Sequence, residues 1–303
     1  MILYIMENRI TTKNNKIIVK FFSSFCDSLI CKNNYLNQCK GFLLDNEKTI
    51  ELTTDDTYTH AIILNVAMPK LTIPKENVIG LALEPNFFLG LSHTFIHYAA
   101  QFIGKYFIGN ANNLPPPFYS HYGYLWYMPP PRKSLYVDKP KIMSIIISKK
   151  IMAPGHKYRH LIVQEILKRN LPIDIYGRGC FAYKEDPRIK GPFTEEMVYL
   201  PYLNYKYHIC IENFSLDHYF SEKITNALLA HTIPIYFGCR KINEYFPDMV
   251  INLNSDLKND MKIIEGVLNS NPPIEKRRDQ EYVLEKVSLF NKLTEEWICP
   301  KSS

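Results

Sequence analysis

Apolar runs of four to eight residues recur along this chain, and helix-length amphipathic segments separate them. That alternation constrains the fold more than any other feature. Runs so short and so continuously apolar are strands buried on both faces, which requires a mainly parallel sheet with helical crossovers covering each side. The expected class is therefore α/β. In the first half, strands are predicted at 16–22, 60–65, 77–82 and 105–109, with a helix from Leu89 to Phe102. In the second half they are predicted at 142–147, 171–176, 207–211, 233–237 and 249–252. Helices are expected near 157–168, after Ser221, after Asp256 and from Pro273 to Trp297. The last carries Ile274, Val283, Val287, Phe290 and Leu293 among charges, a stripe that docks on the domain beneath it.

A chain of 303 residues suits two domains of about 150 residues each. Pro115 to Pro117 and Pro129 to Pro131 bracket an aromatic stretch, Phe118 to Met128, whose ends cannot be regular helix. The boundary is placed just beyond it, giving domains 1–135 and 136–303. With 46% hydrophobic and 22% charged residues, the chain can bury real cores and is too apolar for disorder. Its formal charge of +6 favours an anionic ligand without demanding nucleic acid, and no nucleic-acid motif is present.

Met1 to Ile5 are apolar, but Glu7, Asn8 and Arg9 interrupt them well short of the roughly 18 to 20 residues of a membrane span. No secretory signal pattern follows. A soluble, cytoplasmic protein is expected, with no membrane association. The seven cysteines, without CxxC pairs, are expected to be reduced thiols. Cys26, Cys31 and Cys39 form their one cluster, and with no neighbouring His it is assigned no metal. His93 and His97 in HTFIH lack the Glu of HExxH.

The most informative stretch runs from Tyr205 to Pro247. A buried strand ends in Glu212 and Asn213, and a loop leads to Tyr219, Ser221, Glu222 and Lys223 at a helix start. Polar groups thus gather at a strand's carboxyl end, where open α/β sheets bind ligands. Ser221 is a good N-cap and Glu222 suits the positive end of the helix dipole. Lys223 does not suit it. A cation there is unfavourable unless an anion lies between the two positive ends, and a diphosphate would serve. Glu222 would then accept from ribose hydroxyls. The competing reading is a capped surface helix with solvated charges.

This stretch resembles the donor-binding signature of the family 10 glycosyltransferases, the α1,3/α1,4-fucosyltransferases. Tyr205-Lys206-Tyr207, Glu212-Asn213, Tyr219-x-x-Glu222-Lys223 and Thr232-x-Pro234-x-x-x-Gly238 occur in the family's order over about forty residues, with Tyr207 for the usual Phe and Ser221 for the usual Thr. Upstream, a strand ending in Ser148, a helix bearing Arg159 and the turn Asp174-x-Tyr176-Gly177-Arg178 resemble earlier family elements. Glu84, after a strand and before a proline, stands where the family carries its catalytic base. A lone reading of Glu84 is an exposed loop charge, and of Arg159 and Arg178 a solvated helix charge and a connection.

The resemblance implies a GT-B architecture, two Rossmann-like domains facing across a cleft, in a soluble microbial or viral type of enzyme. It implies inverting transfer of L-fucose from GDP-fucose to a GlcNAc- or Glc-containing glycan acceptor, with an α1,3 linkage. Glu84 is the expected base; Ser148, Arg159, Arg178, Asn213, Tyr219, Glu222 and Lys223 are expected to hold the donor. No cofactor or metal is expected, since no DxD motif is present and Asp55-Asp56 lacks the spacer. Two alternatives stay open: a GT-B transferase using another nucleotide sugar, and a glycan-binding relative without turnover. Tyr119, Tyr122, Tyr124, Trp126 and Tyr127 are candidates to stack on acceptor sugars, or else form one strand and a packed loop.

Overall fold

The computed structural model describes residues 16–38, 50–127, 139–194, 197–270 and 280–299. The boundary expected at 135/136, Cys39, the Pro129–Pro131 triplet and the expected helix start at Pro273 lie outside the described residues.

In the first half, β1 (Ile17–Ser23), α1 (Ser28–Gln38), β2 (Ile50–Thr53), β3 (His60–Leu64) and β4 (Val78–Leu81) precede two helices, α2 (Asn86–Leu89) and α3 (His93–Phe102). β5 (Lys105–Ile108) and β6 (Phe118–Ser120) complete a parallel sheet of order β2-β1-β3-β4-β5-β6. The second half opens with β7 (Lys141–Ile146), α4 (Pro154–Lys168), β8 (Ile173–Tyr176) and β9 (Ile189–Gly191). Then come α5 (Leu200–Leu203), β10 (Tyr205–Ile211), α6 (Glu222–Leu229), β11 (Ile233–Phe237), α7 (Ile242–Tyr245) and β12 (Ile251–Asn252). Its sheet, also parallel, has the order β12-β11-β10-β7-β8-β9, and α8 (Leu257–Ser270), α9 (Gln280–Val287) and α10 (Leu289–Trp297) follow.

The long apolar runs became the central strands, as their composition requires. β2, β6 and β9 are edge strands of three or four residues, and they escape a search for continuous apolar runs because an edge needs burial on fewer sides. Two expected helices are each interrupted. Gly90 takes a left-handed conformation (φ 60°) that ends α2, and the Ser92 hydroxyl accepts from the Phe95 N–H at 3.1 Å to start α3. The single helix expected over 273–297 is α9 and α10, separated at Ser288, whose hydroxyl accepts from the Asn291 N–H at 3.2 Å.

The two halves share a core. One cluster of buried side chains runs from Val19, Phe21, Ile62 and Leu81 of the first sheet through Tyr122 and Tyr124 to Phe220, Ile224, Val283 and Phe290 of the second half. Tyr122 stacks on Phe220 with centroids 3.9 Å apart and planes 7° from parallel. The aromatic stretch is therefore mainly packing: Tyr122, Tyr124 and Tyr127 are buried, whereas Trp126 is half-buried.

The apolar stripe of α10 docks back onto the first half. Glu296 accepts from Lys105 of β5 at 2.5 Å and pairs with Lys292 at 3.0 Å, and the Trp297 ring lies 4.5 Å from His60 of β3. Burial pushes the Glu296 carboxyl up, and the ammonium groups of Lys105 and Lys292 more than offset it, leaving it below its ordinary value. A carboxyl depressed in the folded state stabilises above its unfolded pKa and loses that contribution as pH falls through the folded one. Glu296→Gln is expected to lower the melting temperature by about 2 °C at neutral pH. Thermal unfolding across pH should show this gap closing below about pH 4.

Candidate active site

In the second sheet the chain leaves β7 for β8 on one side and reaches β10 on the other, so the strand order reverses between β7 and β10. The crevice beyond the carboxyl ends of such a pair is where open α/β sheets take ligands. Ser148 lies just past β7, and Glu212 and Asn213 just past β10. The amino ends of α4 and α6, the positive ends of their dipoles, start beside these residues, α4 through the Gly155 N–H to Asn213 carbonyl bond and α6 through the Ser221 N–H to Glu212 carboxylate bond.

α4 comes close because residue 155 is glycine. A Cβ there would sit 1.8 Å from the Glu212 carbonyl oxygen, and the Gly155 N–H donates to the Asn213 carbonyl at 3.0 Å. One turn later Arg159, 5% exposed, donates through Nη2 to the Asn213 Oδ1, while its Nε is buried with no partner. Among the described residues the Ser148 hydroxyl is likewise buried without a partner. Burial and the positive charges of Arg159, Lys150 and Lys223 push the imidazole of His156 down to about 4, keeping it neutral. These are the marks of a pocket shaped for negative charge. His156 left no trace in the sequence reading, since a histidine in a helix's first turn has no distinguishing pattern.

At α6, Ser221 is the N-cap, and its hydroxyl accepts weakly from the Lys223 N–H at 3.4 Å. The anion demanded by Lys223 is present, and it is a protein carboxylate. Glu212, fully buried, accepts from the Ser221 N–H at 2.8 Å and from its hydroxyl at 2.9 and 2.7 Å, and lies 3.4 Å from Lys223 Nζ. Lys223 also bonds Ser221 Oγ at 2.9 Å and Glu222 at 3.2 Å. Burial works to lower the Lys223 ammonium, but Glu212 and Glu222 hold it above its ordinary value, so it stays charged. Burial likewise raises Glu222, and Lys223 with the surrounding hydrogen bonds brings it below the usual carboxylate range. The alternative of a solvated surface helix does not hold, because Ile224 to Leu229 are buried.

Tyr219 is buried, and burial, then Glu212, Glu222 and Glu84, keep its phenol protonated well above the ordinary range. Its neighbour His218 donates through its backbone N–H to the Gly109 carbonyl of the first half at 3.0 Å. The loop leading into α6 is thereby tied to the first half. Arg178 lies in the turn after β8, which is tied to the end of β7 by the Gly179 N–H donating to the Ile147 carbonyl at 3.1 Å; its side chain is exposed and makes no hydrogen bond or ion pair among the described residues.

Across the cleft, Glu84 follows β4 at the rim of a pocket of about 410 Å³ that it shares with Glu222, Asn65, Leu83, Phe25 and Trp126. Desolvation raises the Glu84 carboxyl above its ordinary 4.5; Lys223 and Lys150 pull it down, and Glu222 and Glu212 push it up. Residues far apart in sequence, on opposite domains, thus sense one another's charge.

Residues 137–257 match the family model described as glycosyltransferase family 10 (fucosyltransferase) C-term. Over that segment the chain is similar to the C-terminal domain of the family 10 glycosyltransferases. An α-(1,3)-fucosyltransferase B of Drosophila melanogaster is 34% identical over 110 residues, 34% of this chain and 24% of that protein. A GDP-fucose protein O-fucosyltransferase 3 of Danio rerio is 27% identical over 107 residues, 33% of this chain and 23% of that protein. The chain spans about a quarter of the length of these curated relatives. Among solved structures, an α1,3-fucosyltransferase with GDP-fucose superposes with a TM-score of 0.52 at 12% identity, covering 91% of this chain and 90% of the other. The same enzyme type with GDP gives 0.52 at 15% identity, covering 95% and 92%. The fold is GT-B, as the sequence led us to expect.

Removing Glu212 leaves Ser221 and Lys223 of this domain without their shared acceptor. Glu212→Ala is expected to cost about 3 kcal/mol of stability, measured by denaturant unfolding, whereas Glu222→Ala, at the solvent-facing side of the same lysine, should cost under about 1 kcal/mol.

Proposed function

We propose that this chain is an inverting, metal-independent fucosyltransferase that moves L-fucose from GDP-fucose to a hydroxyl of a GlcNAc- or Glc-containing glycan, forming an α1,3 linkage. One observation carries the reading. Glu84 on the first domain and Glu222 on the second line one pocket, and the charge of Lys223, paired with Glu222, reaches Glu84, which supports a base and a phosphate-binding cation on either side of the space a sugar would fill.

The donor diphosphate would lie at the amino end of α6, with Lys223 and Arg159 as its cations and Ser148 and Asn213 as hydrogen-bonding partners. The buried, unpartnered atoms of Ser148 and Arg159 suit that place. Glu222 would accept from the ribose and Tyr219 would donate its hydroxyl hydrogen. Arg178 would reach the nucleotide from the exposed turn after β8. As the bond from the anomeric carbon to the phosphate oxygen breaks, charge grows on the leaving GDP, and fixed cations with the helix end stabilise it without a metal. The acceptor oxygen attacks from the opposite face through an oxocarbenium-like state. Its proton passes to Glu84, whose raised carboxyl is better matched to that task than an ordinary one. The compartment we propose is the cytoplasm, where thiols such as Cys26 and Cys31, with sulfurs 3.2 Å apart, stay reduced.

Glu84→Gln is expected to lower kcat by about 10²–10⁴-fold and to leave GDP binding by calorimetry unchanged. Because the base must be ionised, the wild-type rate falls as pH drops through the raised Glu84 value, and the residual rate of the variant should lack that acid limb. Lys223→Gln should instead weaken GDP binding by about tenfold to a hundredfold. Incubation with GDP-fucose, GDP-mannose and UDP-sugars over a glycan array decides the donor and acceptor. Turnover with another nucleotide sugar alone, or GDP binding with no transfer to any glycan, would replace this reading.

A further inference from the structure

Three phenylalanines meet outside the core. Phe87 and Phe88 are neighbours on α2, and Phe214 follows Asn213 in the loop from β10 to α6. Their rings touch in all three pairings: Phe87 and Phe88 have centroids 5.5 Å apart, and Phe214 lies 5.3 Å from each of them, edge-on to Phe88 with planes 78° apart. None of the three belongs to the buried clusters that build the two sheets, and Phe87 is 73% exposed. Single apolar side chains at a surface need no explanation. Three rings in edge-to-face and tilted contact, drawn from both halves of the chain, are a specific interaction that the core does not require.

What the rings join gives the contact its meaning. α2 starts immediately after Glu84 and Pro85, and Phe214 stands next to Asn213, whose Oδ1 accepts from Arg159. The cluster therefore links the segment that carries Glu84 to the loop that carries Asn213 and Tyr219.

That loop has a second attachment near its other end. The His218 N–H donates to the Gly109 carbonyl at 3.0 Å, and a Cβ at residue 109 would lie 2.7 Å from the Tyr219 Cβ, so glycine lets the loop close on the end of β5. The two attachments are braced within the first half, because Asn86 of α2 donates through Nδ2 to the Asn110 carbonyl at 2.6 Å. A loop held at one point can pivot about it. Held at two, it cannot.

We propose that Phe214 is a positioning residue for transfer. Packed on Phe87 and Phe88, it stops the loop from pivoting about the His218 to Gly109 bond, and so fixes Glu84 at a set separation from Asn213, Tyr219 and Arg159. It touches no reacting atom and acts through the loop alone. The inference rests on Glu84 as the base and on the start of α6 as the donor site, and its test separates the two.

Phe214→Ala is expected to lower kcat for transfer from GDP-fucose by about tenfold to a hundredfold, the scale of a small misplacement of reacting groups, with GDP affinity unchanged. Phe214→Tyr keeps the ring and should recover most of the loss. Phe88→Ala, on the other half, should reproduce the loss, and the double variant should lose no more than either single one, since each removes the same contact. Apart from turnover, amide exchange at the His218 N–H should be faster in Phe214→Ala than in the wild type. An unchanged kcat, a matching loss of GDP affinity, a rise in the acceptor KM alone, or additive losses in the two alanine variants overturns the inference while leaving the proposed activity standing. A wild-type chain that transfers nothing from GDP-fucose overturns the proposed activity instead. The His218 amide then decides the clamp, faster exchange in Phe214→Ala upholding it and unchanged exchange overturning it.

Discussion

Glu212 accepts from both the backbone N–H and the hydroxyl of Ser221 while holding Lys223 in reach of its carboxylate, so the start of α6 has one position available to it. Much follows from this buried charge. A lysine in a first helical turn opposes the dipole, and a carboxylate in the interior is costly alone; each is tolerable because the other is there. The arrangement keeps Lys223 charged, and it leaves the helix's amino end and the neighbouring Arg159 directed at the crevice rather than at each other. Gly155 permits α4 to close on the same carbonyl, which sets Arg159 against Asn213.

The second constraint is that the two sheets present their reversal points to one cleft. Each half contributes part of the crevice: Lys223, Arg159 and the start of α6 on one side, Glu84 and aromatic rings on the other. The Tyr122–Phe220 stack, the His218 to Gly109 bond and the return of α10 onto β3 and β5 hold the halves together. Glu84 then experiences Lys223 and Glu222 as neighbours, which no property of its own loop would provide. The shared core across Phe21, Tyr122, Ile224 and Phe290 makes the cleft a consequence of packing rather than of a linker.

Legibility differed sharply between the halves. Around the start of α6, Asn213, Tyr219, Glu222 and Lys223 fall within one strand end, loop and helix, so their order along the chain is close to their order in space. Arg159 was legible as a helix charge, though its burial was not. Arg178, expected among them, is exposed on the turn after β8. Among the aromatic residues 119–127, sequence gave no means to separate Tyr122 and Tyr124, which fill the core, from Trp126, which reaches the cleft. The left-handed turn at Asn65 was invisible, since it is held by a bond to Leu83, eighteen residues away.

By itself the sequence determined the central strands, because a continuous apolar run can be satisfied only by burial on both faces, and it determined the start of α6, because capping and helix-dipole chemistry act between adjacent residues. The edge strands, the two helix breaks, Glu212 as the anion beside Lys223, and the meeting of Glu84 with the second domain were decided only in three dimensions. Those features depend on which surfaces come to face one another, and charges separated by more than a hundred residues interact only after two hydrophobic faces have been driven together.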